Sequence, residues 1–179
     1  ELLAHQLSLR RQRIALQQLG ARPLRGKGAL VERLRASLPF ALTGAQQRVY
    51  AQVRDDLAQP RPMLRLVQGD VGSGKTVVAA MAALLAVEAG RQAALMAPTE
   101  LLAEQHYRNL ESWFRPLGIT TVLVTGSQPA RTRRSALEIV ASGEARLIVG
   151  THALFQEGIE FHDLALTIVD EQHRFGVQQ

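Results

Sequence analysis

Cysteine is absent from the 179-residue chain, which excludes disulfides and thiolate metal sites. Lysine is nearly absent: Lys27 and Lys75 are the only two, so arginine supplies almost all of the positive charge behind a net +5. No apolar run is long enough to cross a bilayer, and Lys or Arg interrupts the long hydrophobic stretches. The opening ELLAHQLSLRRQR places its charges after its leucines, the reverse of a secretory signal. Internal repeats and low-complexity tracts are missing as well. These absences exclude a disulfide scaffold and a helical membrane protein, and a soluble, cytoplasmic protein is expected. What is present is 46% hydrophobic residues, enough for a sizeable core, over a length that suits one α/β domain with a modest appendage. The basic balance is compatible with a polyanionic partner such as DNA or RNA, although single arginines are equally what a solvated surface carries.

Residues 1–19 lack Gly and Pro and carry two apolar stripes, Leu3, Leu7 and Ile14 against Leu2, Leu9 and Leu16. Such a pattern predicts a helix wedged between two surfaces, as a connector would be. Gly20, Pro23, Gly26 and Gly28 mark a loop, and Ala29 to Leu38 a short second helix before Pro39. Residues 1–39 therefore read as a helical linker. From Leu42 the rhythm alternates. Thr43 caps a helix to Leu57, Met63 to Gln68 is a strand candidate, and a helix from Lys75 to Ala89 is apolar on nearly every face. A strand at Gln92 to Ala97, a helix from Glu100 to about Phe114 and a strand at Thr121 to Val124 follow. A helix from Ala130 to Ala141 and strands at Arg146 to Val149 and Leu166 to Val169 complete the series. This alternation predicts an α/β fold with a parallel sheet and helices on both faces.

The segment GDVGSGKT, Gly69, Asp70, Val71, Gly72, Ser73, Gly74, Lys75 and Thr76, fits G-x-x-x-x-G-K-[ST] between a predicted strand and a predicted helix. Glycines let the backbone wrap a phosphate with its N–H groups, and the helix N-terminus adds favourable charge. Lys75 can reach the β- and γ-phosphates of ATP, and the Thr76 hydroxyl can ligate Mg²⁺. One of only two lysines in the chain falls here, which argues against a chance glycine-rich turn. A second apolar strand ends in Asp170-Glu171, at the position where an open parallel sheet places ligand contacts. Asp170 can hold Mg²⁺ and Glu171 can orient and partly deprotonate an attacking water. Together the two motifs predict nucleotide hydrolysis.

The acidic pair continues as DEQH, Asp170 to His173, and then Arg174-Phe175-Gly176-Val177. With GDVGSGKT this resembles the superfamily-two DNA helicases, most closely the bacterial RecG family of branched-DNA helicases. APTELLAEQH (Ala97 to His106) looks like that family's motif Ia, VTGS (Val124 to Ser127) like motif Ib, and GTHALFQ (Gly150 to Gln156) like the next DNA-facing loop. LPFALTGAQ (Leu38 to Gln46) is similar to its nucleotide-side Q motif. The resemblance runs over essentially the whole chain. It implies a RecA-like P-loop domain over residues 40–179, behind a linker from a DNA-gripping wedge domain. Gln46 would read the adenine edge, Phe40 would pack beside the base or in the core, and Gln172 and His173 would couple the γ-phosphate to the DNA-facing surface. DNA contacts would come from Pro98, Thr99, Glu100, Thr125, Gly126, Thr151 and His152.

Each of these DNA-facing residues also has a plain structural reading. Thr99 followed by Glu100 is good helix-start chemistry, yet the same geometry aims N–H groups at a backbone phosphate. Arg131, Arg133 and Arg134 fit a solvated helix start as well as phosphate contacts. The related transcription-repair coupling translocase is the nearest competitor, but it usually has Phe where this loop has Ser73 and Glu where this box has Gln172. A P-loop nucleotide kinase would need a lid and an acceptor pocket, of which nothing is seen after Gly90. A nucleotide-sensing module without catalysis is the remaining alternative. The family implies a second RecA-like lobe bearing an arginine finger, and a wedge domain ahead of residue 1, both beyond this sequence. The resemblance thus implies the ATP-binding lobe of a bacterial motor acting on stalled forks and Holliday junctions in DNA repair and recombination.

Overall fold

The structure, a computed structural model, describes residues 19–70, 72–155 and 158–170. The helix expected over residues 1–19 lies outside these residues, apart from Leu19. Five helices and four strands are described: α1 (Ala29–Ser37), α2 (Gly44–Leu57), α3 (Lys75–Glu88), β1 (Gln92–Met96), α4 (Glu100–Phe114), β2 (Thr120–Val124), α5 (Ala130–Ser142), β3 (Ala145–Gly150) and β4 (Leu164–Val169). Short 3₁₀ turns follow α4 at Arg115–Leu117 and β3 at His152–Phe155.

The strands form one parallel sheet in the order β2-β3-β1-β4. Their carboxyl ends lie in register, with Met96 opposite both Gly150 and Val169, and Val124 opposite Gly150. Successive side chains alternate between the two faces. Ala93, Leu95, Leu147 and Val149 enter the larger core with α1 to α4. Ala94, Val122, Val124 and Ile148 enter a second core with Ala136 and Val140 of α5. Helices therefore cover both faces, as the alternation predicted.

Helix α3 is buried along nearly its whole length, from Val77 to Ala86, because its alanines let neighbours approach from every side. It ends at Gly90, whose φ of 75° permits the closing bonds from Gly90 N to Val87 O (2.9 Å) and Arg91 N to Ala86 O (3.0 Å). Glu88, in its last turn, accepts from the Gly28 amide (2.7 Å) and from the Leu30 amide. That carboxylate supplies the N-terminal cap that α1 lacks from its own Gly28. Leu24, Val31 and Leu34 complete the attachment and are fully buried, each such burial stabilising by ~1.5–3 kcal/mol.

One predicted element does not form. Met63 to Gln68 runs without strand structure, and Leu64 and Leu66 are 64% and 70% exposed. A strand exists only by pairing, and among the described residues β4 pairs with β1 alone, leaving this segment without a ladder. Its Arg65 reaches sideways to Asp56 and Gln52 on α2.

Candidate functional site

The phosphate-loop residues sit where a strand-less lead-in enters α3. Gly72 and Gly74 take φ of 80° and 77°, a left-handed conformation that glycine adopts without strain. Gly74 occupies the N-cap position of α3 and offers no side-chain cap. The amides at the start of α3 thus lack a side-chain partner, the arrangement that favours an anion. The loop is also close-packed at Gly69 and Gly74. A Cβ on Gly69 would lie 2.7 Å from the Ser73 hydroxyl, and one on Gly74 would collide with the Gln46 amide. The Lys75 ammonium folds over the loop, donating to Gly69 O (2.6 Å) and Asp70 O (2.8 Å). A glycine cradle, an uncapped helix start and a lysine at its mouth fit a polyphosphate. Val71 lies outside the described residues; Thr76 stands in the first turn of α3.

Gln46 is placed differently from a free base reader. Its Oε1 accepts from the Thr43 amide (2.9 Å) while Thr43 Oγ1 accepts from the Gln46 amide (3.2 Å), a reciprocal capping box. Its Nε2 donates to Ser73 O (2.9 Å). The side chain therefore braces the loop against the start of α2. Phe40 is 46% exposed rather than packed in the core.

Asp170 follows β4 directly. Its amide donates to Met96 O (2.8 Å), which carries the β1–β4 ladder one residue past the strand. Its Oδ2 lies 2.7 Å from His106 Nε2, a partner that sequence reasoning missed. A signal was there: Ala103, Leu110 and Phe114 define the buried stripe of α4, and His106 falls on the same face. Glu171, Gln172 and His173 lie outside the described residues, as does Gln156.

The predicted nucleic-acid residues gather at the carboxyl edge of the sheet. Thr99 caps α4, its Oγ1 accepting from the Leu102 amide (3.3 Å), and it is exposed, as are Gly126 and His152. Pro98 is half-buried beside it. Thr125 and Thr151 are buried: the Thr125 amide donates to Gln128 Oε1 (3.1 Å), and Thr151 Oγ1 accepts from the Ala153 amide (3.4 Å). Glu100 joins two of the loops: the Ser127 hydroxyl and amide donate to its carboxylate and hold it below the usual carboxylate range. Gly150 is fixed here by packing, because a Cβ would meet Val124 O and Leu154. Arg131 and Arg134 on α5 are exposed, and Arg133 is half-buried.

Among the described residues no helix is long and apolar enough to cross a membrane. Residues 43–179 match the DEAD/DEAH box helicase family. Over the whole chain the sequence is 56% identical to the ATP-dependent DNA helicase RecG of Escherichia coli K12 and 54% identical to that of Haemophilus influenzae Rd. The chain spans about a quarter (26%) of the length of these curated relatives. A structure of RecG bound to a three-way DNA junction superposes with a TM-score of 0.88 at 42% identity, covering 97% of this chain and 24% of that one. A hypothetical ATP-dependent RNA helicase from Sulfolobus tokodaii shares the fold, with a TM-score of 0.60 at 19% identity over 80% of this chain and 41% of its own. With its RecA-like sheet and a motif series matched from Thr43 onward, the chain belongs to the DEAD/DEAH box helicase family.

Proposed function

We propose that this chain is the ATP-binding lobe of a bacterial, cytoplasmic DNA helicase that remodels branched DNA, such as stalled forks and Holliday junctions, in repair and recombination. One observation carries the reading: the in-register carboxyl edge of the sheet presents Asp170 at one end and the loops of Thr99, Gly126 and His152 beside it. The phosphate loop belongs to the same edge, because α3 runs from it back to the start of β1.

In this reading the amides of Gly69 to Thr76 bind the phosphates of ATP, and Lys75 exchanges its two loop carbonyls for phosphate oxygens. Thr76 and Asp170 hold Mg²⁺, which neutralises charge on the β- and γ-phosphates when bound. Glu171 orients the attacking water and takes its proton. Gln46 fixes the loop against α2, and turning its amide to the adenine edge would release that brace. Gln172 and His173 relay the nucleotide state. Backbone amides at Thr99, Glu100, Gly126 and His152, with Pro98, Thr125 and Thr151 shaping the loops, track a DNA strand by its phosphates. A second lobe supplies the arginine finger, and a wedge domain holds the branch point. The test is ATP turnover by this chain in Mg²⁺ with and without forked DNA. Mg-nucleotide binding with negligible turnover in both conditions is expected. Strong stimulation by the fork would show a complete site within these 179 residues and overturn the half-motor reading.

A further inference from the structure

We propose that His106 is a positioning residue for Asp170: it sets the carboxylate that holds Mg²⁺ and ties it to the helix whose first turn faces DNA. The inference rests on the reading of Asp170 as a metal ligand. A carboxylate only accepts, so at 2.7 Å the imidazole Nε2–H is the donor and Oδ2 the acceptor. Both side chains are withdrawn from water, 15% exposed for His106 and 29% for Asp170, which strengthens the bond relative to a surface contact. With the Asp170 backbone pinned to Met96 O and Oδ2 pinned to His106, Oδ1 is the oxygen left for a cation.

The placement of His106 gives that bond reach. Helix α4 packs over β2 and β3, whereas Asp170 follows β4 beyond β1. The bond therefore crosses the end of β1 and links residues 64 apart in sequence. His106 stands two turns, ~10 Å, past the Thr99 cap, and helical side chains lean toward the helix N-terminus, which directs the ring back to the carboxyl edge. Ala103, Leu110 and Phe114 hold that face of α4 rigidly in the core. A shift of α4 at its DNA-facing start thus moves the donor that orients Asp170. Partners of this kind behind metal-ligating groups matter by ~10- to 100-fold in metal affinity or activity.

The experiment measures affinity of the 179-residue chain for a fluorescent ATP analogue, in Mg²⁺ and in EDTA. The ratio of the two is the metal-dependent gain. In His106→Ala this gain should fall ~10-fold or more, with EDTA affinity within ~2-fold of the parent, and His106→Gln, which returns an N–H donor at similar reach, should restore it. If the alanine variant does not fold, His106→Leu removes the donor while keeping bulk. Asp170→Ala separates the two readings. Retention of the gain in Asp170→Ala sinks Asp170 as a metal ligand. Loss there with retention in His106→Ala overturns the positioning role alone. A proportional fall in both Mg²⁺ and EDTA, or failure of glutamine to rescue, shows His106 to be a packing residue and also overturns the proposal.

Discussion

Replacing Gln92 by leucine, a residue of similar size, should destabilise the chain far more than its place at a strand start suggests. Gln92 is fully buried at the first position of β1. Its Nε2 donates to Val140 O (2.9 Å) and Ala145 O (2.8 Å), and its Oε1 accepts from the Asp163 amide (3.0 Å). One amide thus sews the end of α5, the start of β3 and the approach to β4 to the central strand. Leucine leaves three backbone groups without these partners, two of them on buried residues. At ~0.5–1.5 kcal/mol for each net hydrogen bond, the expected loss is about 3 kcal/mol. In a domain of this size that corresponds to a fall in Tm of roughly 6–12 °C. Thermal and urea unfolding followed by circular dichroism would measure it, with an unchanged m-value showing that the fold persists. A loss below about 1 kcal/mol would refute the reasoning, because it would mean that water or relaxed backbone satisfies those groups at no cost.

Gly74→Ala should lower affinity for Mg-ATP at least tenfold in an equilibrium binding titration, because a Cβ there collides with the Gln46 amide at a φ of 77°; unchanged affinity would refute the close-packed loop. The Arg91 side chain, donating to Asp163 at 2.8 Å, holds that carboxyl below its ordinary value of 3.8. A depressed folded pKa contributes stability that is complete above the ordinary value and lost as pH falls through the folded one. Melting of the parent and of Asp163→Asn should therefore differ by a constant amount above about pH 5 and converge below 3.8. A gap that persists at lower pH would mean that the pair acts through packing rather than charge.

The phosphate loop was legible because its demands are local: glycines, a lysine and the onset of a helix occupy consecutive positions. Helix α4 was legible for a similar reason, with Thr99 marking its start and a periodic apolar stripe its core face. Met63 to Gln68 misled because a short, mostly apolar run forms a strand only when a neighbour completes the ladder, and that depends on the sheet order. His106 and Gln92 escaped notice for a related reason. Their partners lie tens of residues away: the apolar stripe of α4 puts His106 on the buried face, but nothing nearby specifies Asp170 as its partner. Gln46 shows an ambiguity of another kind. Its amide suits an adenine edge, but the same donor and acceptor are spent on Ser73 and Thr43.

The clasp of Glu88 on the amides of Gly28 and Leu30 bears on how force would travel through the molecule. Helix α3 is a rod of 14 residues, about 20 Å long, with the phosphate loop at one tip and Glu88 at the other. Val31 and Leu34 of α1, with Leu24 ahead of it, are buried in the same core as that rod. A cut or fusion joint at residue 39 would separate α1 from a core that it shares with α3. Through that core and the Glu88 clasp, Leu24 and α1 are fixed to a helix whose opposite end carries the glycine-rich loop of Gly69 to Thr76.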